Sequence, residues 1–600
     1  MGSPTRPELA GTHGMVASTH WLASAAGMAV LEDDGNAFDA AVAAGFVLQV
    51  VEPHLNGPGG ELPALFATPG GPVRALCGQG PVPAGATVEH FRDELGLELI
   101  PGSGLLPATV PGAWDAWLLL LRDYGTKSLD EVLRFAIGYA RDGFPVVPRL
   151  SETIATVREM FRVRWPSSAR LWLRDGAAPG AGTRLRNPVL ARTWQRLLRE
   201  GNAAGGDRRD RIDAARRAWS RGFVAEAVDR FARGPVADSS GRSHAGVLTG
   251  QDMADYSATY EEPVTLRTSG DGRLAKFGAW CQGPVLLQQL RLLERLPVEY
   301  RDGIATAETV HHAVEAAKLA FADREAHYGD SADPGVLSEL LGADYTAARR
   351  ELIGENAAET LRPGSTAGHT PRLPEYVSEE RGAGLPPDPS GVGLGEPTVS
   401  PNGDSKGDTV HLDVVDRWGN MVSATPSGGW LQSSPVIEEL GFCLGTRAQM
   451  CWLREGLPNS LVPGRRPRST LSPSLFTRGD EPVLAFGTPG GDQQDQWQLC
   501  FWLAHVHGGL DLQAAIDAPA WHTTAFPASF YPRGWQPRRV LAESRLGEAT
   551  FERLRRRGHE VTDAGPWALG RLAAVGRDPE TGMLRGAANA RGAQGYAAGR

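Results

Sequence analysis

Cysteine is scarce in this sequence. Its 600 residues include five cysteines, Cys77, Cys281, Cys443, Cys451 and Cys500, and no two of them stand at CxxC spacing. A small, odd number without paired spacing argues against both a disulfide framework and a cysteine-based zinc site. We therefore expect buried thiols at these positions.

Long apolar runs and an excess of positive charge are missing as well. Apolar stretches such as residues 40–51 are too short or too interrupted to cross a bilayer, and residues 1–9 contain no apolar segment of the kind a secretory signal needs. The formal net charge of -9 gives no general attraction to nucleic acid or to an anionic membrane. We expect a cytoplasmic protein without either partner.

The sequence is 41% hydrophobic, which is enough to form a large core. The predicted secondary structure changes along the chain. The first two thirds are mainly helical in pattern, whereas residues 363–408 are rich in proline and glycine, which is typical of a flexible linker or processing loop. From Thr409 apolar and polar residues alternate, which predicts a β-hairpin. The predicted helices are 17–31, one from 37, 118–121, 129–139, 310–322, 496–507 and 548–557, and the other predicted strands are 65–67, 474–477 and 483–486.

Thr409 stands where the proline- and glycine-rich loop meets the first strand of this hairpin. A threonine hydroxyl becomes a useful nucleophile when a base takes its proton, and the α-amine of a chain terminus can be that base. Such an amine, which titrates near pH 8, exists at Thr409 only after the preceding peptide bond is broken. The pattern alone favours the alternative, that Thr409 is an ordinary β-branched strand residue.

The segment 487–491, GTPGG, follows a predicted strand and leads into a polar run that begins with Asp492. Its glycines can turn two backbone N–H groups toward one point, as an oxyanion formed during acyl transfer requires. The segment 463–473, PGRRPRSTLSP, carries hydroxyl and guanidinium groups that can hold a carboxylate. A tight turn and a surface loop have the same compositions.

These segments, with others, resemble the gamma-glutamyltranspeptidase family in order and in content. The resemblance runs from about residue 14 to 599. It rests on blocks in register at 14–18 (GMVAS), 35–44 (GNAFDAAVAA), 51–54 (VEPH), 110–112 (VPG), 143–146 (GFPV), 318–324 (KLAFADR), 414–416 (VVD) and 419–420 (GN).

The resemblance implies an α+β protein, a four-layer αββα sandwich of the Ntn-hydrolase type with a large helical N-terminal part and a smaller C-terminal part. It implies cleavage between Asp408 and Thr409. Residues 1–408 then form a large subunit and residues 409–600 a small catalytic subunit. The two stay associated as one αββα unit, which can assemble into a homo-oligomer of heterodimers.

The same resemblance implies roles for individual residues. Thr409 is the expected nucleophile and its freed amine the base, with Ser427 assisting the hydroxyl. The backbone amides of Gly490 and Gly491 form the expected oxyanion hole. The expected substrate-binding residues are Ser469 and Thr470, which occupy the place of the family's paired serines, together with Asp492.

Departures from the family pattern concern the substrate. Gln79 stands where glutamyl-binding members have an arginine, and Gly429 replaces an asparagine. In 444–452 no acid remains to receive an α-ammonium group, while Arg447 is a candidate anchor for a substrate carboxylate, the alternative being a surface arginine. Buried charges without partners bind poorly, so this chain need not bind a free glutamyl group. In these respects it resembles the cephalosporin-acylase-like branch.

We therefore predict an enzyme that passes the acyl group of a small-molecule amide or peptide to water or to an amine. The alternatives are a true gamma-glutamyl transferase or glutathione hydrolase, and an uncleaved, non-catalytic binding protein. Amine release from γ-glutamyl and glutaryl amides distinguishes the first alternative. His311, His312 and Glu315 share one predicted helix without an HExxH pattern, so we expect structural histidines, no metal and no cofactor.

Overall fold

The computed structural model describes residues 4–268, 270–378, 398–399, 405–406 and 409–600. Asp408, predicted to precede the cut, and most of the predicted linker lie outside these residues. The strands are β1 (Leu9–Gly11), β2 (Gly14–Ser18), β3 (Leu62–Ala67), β4 (Arg74–Gly78), β5 (Phe144–Pro145), β6 (Arg184–Leu185), β7 (Val236–Ala237), β8 (Ser243–His244), β9 (Thr259–Glu261), β10 (Val264–Arg267), β11 (Gly272–Lys276), β12 (Tyr300–Arg301), β13 (Ile304–Ala305), β14 (Thr398–Val399), β15 (Ser405–Lys406), β16 (Leu412–Asp416), β17 (Met421–Ala424), β18 (Ser474–Arg478), β19 (Glu481–Gly487), β20 (Trp521–Thr523), β21 (Arg539–Ala542), β22 (Glu560–Asp563), β23 (Ala573–Arg577), β24 (Leu584–Ala588) and β25 (Tyr596–Gly599).

The helices connect and cover these strands. They are α1 (Trp21–Glu32), α2 (Ala37–Val51), α3 (Ala113–Tyr124), α4 (Leu129–Asp142), α5 (Pro148–Thr156), α6 (Arg158–Val163), α7 (Pro166–Trp172), α8 (Pro188–Ala203), α9 (Arg208–Arg221), α10 (Phe223–Ala232), α11 (Gly250–Asp255), α12 (Pro284–Leu293), α13 (Ala307–His327), α14 (Pro334–Leu340), α15 (Ala343–Arg350), α16 (Glu375–Ser378), α17 (Gln494–Val506), α18 (Leu512–Asp517) and α19 (Glu548–Arg556). Within the described residues, no helix is long and apolar enough to cross a membrane.

Two seven-stranded antiparallel sheets form the centre of the molecule. One has the strand order β1-β24-β23-β19-β18-β11-β10 and the other β25-β2-β16-β17-β3-β4-β9. The sheets stack face to face, with β16 against β19 and β23. Each sheet therefore combines strands from before and after Thr409.

Alternating side chains explain the four layers. Met15 and Ala17 of β2 pack between the sheets, whereas Val16 between them packs on the helix side with α1 and α2. In β19, Ala485 points between the sheets and Leu484 packs outward in the cluster that includes α12, α13 and α17. Because successive strand residues point to opposite faces, each sheet has two apolar faces, and helices cover the outer one. The predicted αββα fold is confirmed.

The first predicted helix, 17–31, is wrong at its beginning. Residues 14–18 form β2, which pairs with β16 and β25 and is buried throughout. Helix α1 begins only at Trp21, after the His20 ring accepts a hydrogen bond from the Leu22 N–H group. Small apolar residues suit a buried strand as well as a helix, and the pairing of β2 with two neighbours decided between them.

The strand registers bring several chain segments to one end of the sandwich. Leu412 at the start of β16 lies opposite Ser18 at the end of β2 and opposite Ala424 at the end of β17. In the other sheet Gly487 at the end of β19 lies opposite Ala573 at the start of β23. A side chain on Gly487 would overlap the ring of His411, so these ends of the two sheets are in contact. We call this end the Thr409 end.

Candidate active site

Thr409 lies buried at the Thr409 end, three residues before β16. Its Oγ1 atom is 3.2 Å from the Oγ atom of Ser427. The Val410 N–H group donates to the Pro426 carbonyl at 3.2 Å, which continues the β16–β17 pairing beyond the regular strands. The structure therefore brings together Thr409 and Ser427, the two hydroxyls that the family resemblance pairs.

His411 and Asp413 form a buried polar contact that the sequence analysis did not single out. The His411 ring is 2.9 Å from Asp413 Oδ2 through Nε2 and 2.9 Å from Thr425 Oγ1 through Nδ1. Burial raises the pKa of Asp413, and His411 opposes this rise. Because the same ring touches Gly487, this contact fixes the first strand of the predicted small subunit against the other sheet. In the sequence, the only sign of this contact is that His411 and Asp413 are polar residues between the apolar residues of a predicted strand.

Gly490 and Gly491 form the turn between β19 and α17. Their φ angles are +135° and +55°, in the region that favours glycine. A Cβ atom on Gly490 would lie 2.2 Å from the Trp497 ring, so space also requires glycine there. The Thr488 hydroxyl holds this turn by accepting a hydrogen bond from the Arg571 N–H group at 3.0 Å. Gly487 links the turn to His411, and so to the strand that follows Thr409.

Asp492 lies beside this glycine turn and is almost fully buried. Its carboxylate accepts hydrogen bonds from the backbone and the hydroxyl of Ser529 at 2.8 and 2.6 Å, and it pairs with Arg324. The Gln282 side chain donates to the Gly491 carbonyl at 3.2 Å. These contacts favour a part in holding the turn, and the substrate-binding role of Asp492 stays a prediction.

Ser469 and Thr470 lie buried in the loop before β18. The Ser469 backbone is bonded to Trp280 and Gln282, with N···O distances of 2.8 and 2.9 Å. The Oγ1 atom of Thr470 has no hydrogen-bond partner among the described residues, although it is shielded from bulk water. A buried hydroxyl of this kind is available to a bound polar group.

Arg466 and Arg468, two of the arginines in the same loop, have protein partners. Arg466 pairs with Asp330 at 2.6 Å and with Glu261, and Arg468 pairs with Glu325 at 2.8 Å. Arg468 is fully buried. The hydroxyl groups, rather than these guanidinium groups, are therefore the part of the loop that remains available to a substrate.

Arg447 is buried, so the alternative of a surface arginine is wrong. Its Nε atom donates to Glu61 Oε1 at 2.6 Å, and the guanidinium lies 5.4 Å from the Trp430 ring centroid and 5.9 Å from that of Phe530. The Glu61 backbone pairs with that of Ser427 at 2.8 and 3.1 Å. Burial raises the pKa of Glu61, and Arg447 opposes the rise. The sequence analysis missed Glu61, which directly follows the glycine-rich loop 56–60.

Gln79, at the position of the family's arginine, is also buried. Its Nε2 atom donates to the Gly80 carbonyl at 3.0 Å. Its Oε1 atom has no hydrogen-bond partner in the described part of the chain. An uncharged amide therefore replaces the cation that would hold an α-carboxylate.

A second buried glutamate, Glu52, lies on the other side of β16. Glu52 Oε2 accepts a hydrogen bond from the Thr19 hydroxyl at 2.6 Å, and Oε1 accepts one from the Gln594 side chain. The Thr19 N–H group in turn donates to the His411 carbonyl at 3.1 Å. Burial raises the pKa of Glu52 to about 7. Glu52 lies within the family block 51–54, but no feature of the residue pattern marks it as functional.

The histidines of α13 are separate from this site. His311 and Glu315 gather with His559, and the ring atoms His311 Nδ1 and His559 Nε2 are 2.9 Å apart. Glu315 forms ion pairs with Lys318 at 2.8 Å and with Arg362 at 3.4 Å, so two positively charged side chains already neutralise its carboxylate. This charge arrangement fits a structural cluster better than a cation site.

Comparisons with known proteins agree over the whole chain. The model of the family described as Gamma-glutamyltranspeptidase matches residues 23–599. The chain is 31% identical to the oxamate amidohydrolase proenzyme of Klebsiella pneumoniae, over 98% of this chain and 98% of that protein. A solved variant of LmbA2991 shares 58% identity over all of both chains, with a TM-score of 0.94. Cephalosporin acylase from Bacillus halodurans shares 28% identity, covers 100% of this chain and 99% of its own, and has a TM-score of 0.81.

Proposed function

The chain belongs to the gamma-glutamyltranspeptidase family, and on that premise we propose that it is cut before Thr409 and uses the Thr409 hydroxyl to accept an acyl group from an amide. Members of this family and its acylase relatives are amidohydrolases and acyltransferases, and this chain is an enzyme of that kind. The observation that carries the residue assignment is the burial of Thr409 at the end of the sandwich where Ser427 and the Gly490–Gly491 turn also lie.

In the proposed reaction the freed α-amine of Thr409 takes the proton of its own hydroxyl. The Oγ1 atom attacks the amide carbonyl carbon, and the negative charge that forms on the carbonyl oxygen is received by the backbone N–H groups of Gly490 and Gly491. The carbon–nitrogen bond then breaks, the amine leaves with the proton, and an ester remains on Thr409. Water or an amine attacks this ester and restores the hydroxyl, while Ser427 orients the Thr409 hydroxyl by hydrogen bonding.

The strand order supports two subunits that stay together after the cut. β16 lies between β2 and β17, and β17 pairs with β3, so strands of the predicted small subunit are hydrogen-bonded on both sides to strands of the predicted large one. Separating them would break these ladders and expose the cores of both sheets. Assembly into a homo-oligomer and a cytoplasmic location stay predictions.

The acyl group that fits best is one without an α-ammonium. The backbone of Glu61 is hydrogen-bonded to the backbone of Ser427, and Arg447 neutralises the charge of the Glu61 carboxylate. Arg447 itself is thereby less available as the carboxylate anchor that the sequence suggested. Two similar proteins are named an oxamate amidohydrolase proenzyme and a cephalosporin acylase, and neither name refers to a glutamyl group. These observations favour an amidohydrolase over a true gamma-glutamyl transferase.

Intact-mass analysis after a denaturing gel tests the proposal. We expect two fragments in the wild type, the smaller beginning at Thr409, and a single inactive chain in Thr409→Ala. Ser423→Ala is a matched control, because Ser423 lies in the same hairpin but donates its hydroxyl to the Phe486 carbonyl at 3.3 Å, and we expect this variant to be cleaved normally. An active wild type that remains one chain would exclude the terminal-amine mechanism.

A further inference from the structure

The turn that holds Gly490 and Gly491 presents two backbone donors without acceptors. Both glycines are buried, and within the described residues neither the Gly490 nor the Gly491 N–H group donates a hydrogen bond. Buried backbone N–H groups almost always have a partner, so two consecutive exceptions call for a physical reason. The proposed function supplies one, because it assigns both donors to the oxyanion that forms on the substrate.

The direction of each N–H group follows from the carbonyl of the same peptide unit. A trans peptide unit is planar, and its C=O and N–H bonds point in opposite directions. The Gly490 N–H group shares a trans unit with the Pro489 carbonyl, and the Gly491 N–H group shares one with the Gly490 carbonyl. The groups that bind these two carbonyls therefore aim the two donors.

The two carbonyls are bound by different kinds of group. The Gln493 N–H group donates to the Gly490 carbonyl at 3.1 Å, so a backbone group aims the Gly491 donor. The Thr488 hydroxyl donates to the Pro489 carbonyl at 2.8 Å. A side chain thus aims the Gly490 donor, and this side chain can be changed without altering either glycine.

Thr488 is itself held in one orientation. Its Oγ1 atom accepts a hydrogen bond from the Arg571 N–H group at 3.0 Å, and the residue is buried away from bulk water. Hydrogen bonds in a chain polarise one another, so a hydroxyl that accepts one bond donates more strongly to the next acceptor. We call the Arg571 N–H group, the Thr488 hydroxyl and the Pro489 carbonyl the Thr488 relay. The relay ends on the peptide unit that carries the Gly490 donor.

On the basis of the proposed function, we propose that Thr488 is a positioning residue for the oxyanion, because the Thr488 relay aims and polarises the Gly490 N–H group. Thr488 acts in this role through the Pro489–Gly490 peptide unit and not by contact with the substrate. The donor is needed most when negative charge forms on the carbonyl oxygen. Loss of the relay should therefore slow the chemical step and leave binding of an uncharged substrate nearly unchanged.

Acylation of Thr409 by p-nitrophenyl acetate, with enzyme in excess, tests this inference. The acetyl group is small and uncharged, and the release of p-nitrophenol above the rate of Thr409→Ala follows attack by Thr409. Thr488→Val keeps the shape of the side chain and removes the hydroxyl, and we expect it to lower the acylation rate constant at saturation by about 10- to 100-fold. The half-saturating concentration should change by less than about twofold. Thr488→Ser keeps the hydroxyl and should restore most of the rate.

Thr523→Val is the matched control. Thr523 is buried, and its hydroxyl donates to the Arg539 carbonyl at 2.8 Å and accepts from the Ala525 N–H group at 3.2 Å. It therefore makes the same pair of bonds outside the glycine turn. Thr523→Val should lower the urea midpoint about as much as Thr488→Val does, but it should be acylated at the wild-type rate. Intact-mass analysis of each variant confirms that the cut has occurred before rates are compared.

A cut Thr488→Val variant that is acylated at the wild-type rate would overturn the inference and leave the proposed function standing. Equal losses in Thr488→Val and Thr488→Ser, an equal loss in Thr523→Val, or a Thr488→Val chain that stays uncut would also overturn it. In each of these cases the threonine would support the fold or the cut rather than the acylation step. A wild type that releases p-nitrophenol no faster than Thr409→Ala would instead overturn the proposed function, and the inference with it.

Discussion

Glu61 and Glu52 lie buried on opposite sides of the strand that follows Thr409, and their surroundings differ. Burial raises the pKa of both. Glu61 has the guanidinium of Arg447 against one oxygen, whereas Glu52 accepts hydrogen bonds from two uncharged groups, Thr19 and Gln594. One side of the site is thus a neutral ion pair, and the other holds a carboxyl group that titrates near pH 7. The first side therefore keeps its net charge through neutral pH, whereas the charge of the second side changes near pH 7.

The largest effect should come from breaking the ion pair. Arg447→Met leaves the Glu61 carboxylate buried without its cation, which we expect to lower the free energy of unfolding by about 3–5 kcal/mol. The double variant Glu61→Gln, Arg447→Met should recover most of this loss, because no uncompensated charge remains. Urea unfolding at pH 7 measures both. Equal stability of the wild type and the single variant would show that the pair does not form.

A smaller, pH-dependent effect should come from Glu52→Gln. The pKa of Glu52 is 4.5 in an unfolded chain and about 7 in the folded one. Between these values the unfolded chain releases the proton that the folded protein keeps, so stability falls as pH rises from 4.5 to 7, by about 3 kcal/mol in all. Glu52→Gln should abolish that fall.

The measurement is the urea midpoint of unfolding between pH 5 and 7.5 for wild type and variant. Glu580→Gln, an exposed carboxyl group far from the site, should follow the wild-type profile. Parallel profiles for wild type and Glu52→Gln would show that Glu52 does not keep its proton in the folded protein, and the contrast between the two glutamates would then disappear.

The smallest effect concerns the aromatic rings around Arg447. Phe530→Leu removes one ring that faces the guanidinium, and we expect a coupling energy with Arg447 of about 0.5–1 kcal/mol in a double-mutant cycle. The cycle combines Phe530→Leu with Arg447→Met and uses the same urea assay. Zero coupling would mean that Phe530 only fills space and that Glu61 alone holds the arginine.

Much of the fold followed from local pattern together with the family resemblance. The hairpin after Thr409 is formed by β16 and β17, and the predicted helices at 310–322 and 548–557 correspond to α13 and α19. Residues 17–18 belong to β2 and not to the predicted helix 17–31, because small apolar residues have no clear period and the strand depends on partners at 412–416 and 596–599 that are distant in sequence. Short edge strands such as β1 were missed for the same reason.

The sequence also predicts some residues of the candidate site and misses the partners of others. The family resemblance points to Thr409 and Ser427, and the structure places their hydroxyls 3.2 Å apart. Arg447 was selected as an anchor, but its partner Glu61 is 386 residues away in the chain, so no spacing rule could have connected them. Whether a buried charged side chain can bind a substrate depends on which protein groups the fold packs against it.

The sequence by itself determined where the backbone changes character, which hydroxyl begins the hairpin, and where glycine is needed, because these depend on residues close together in the chain. Only the tertiary structure decided which polar groups acquire partners. Hydrogen bonds and ion pairs act over a few ångströms in space. The folded chain pairs Arg447 with Glu61, 386 residues apart in sequence, and places Thr19 and Gln594 against Glu52.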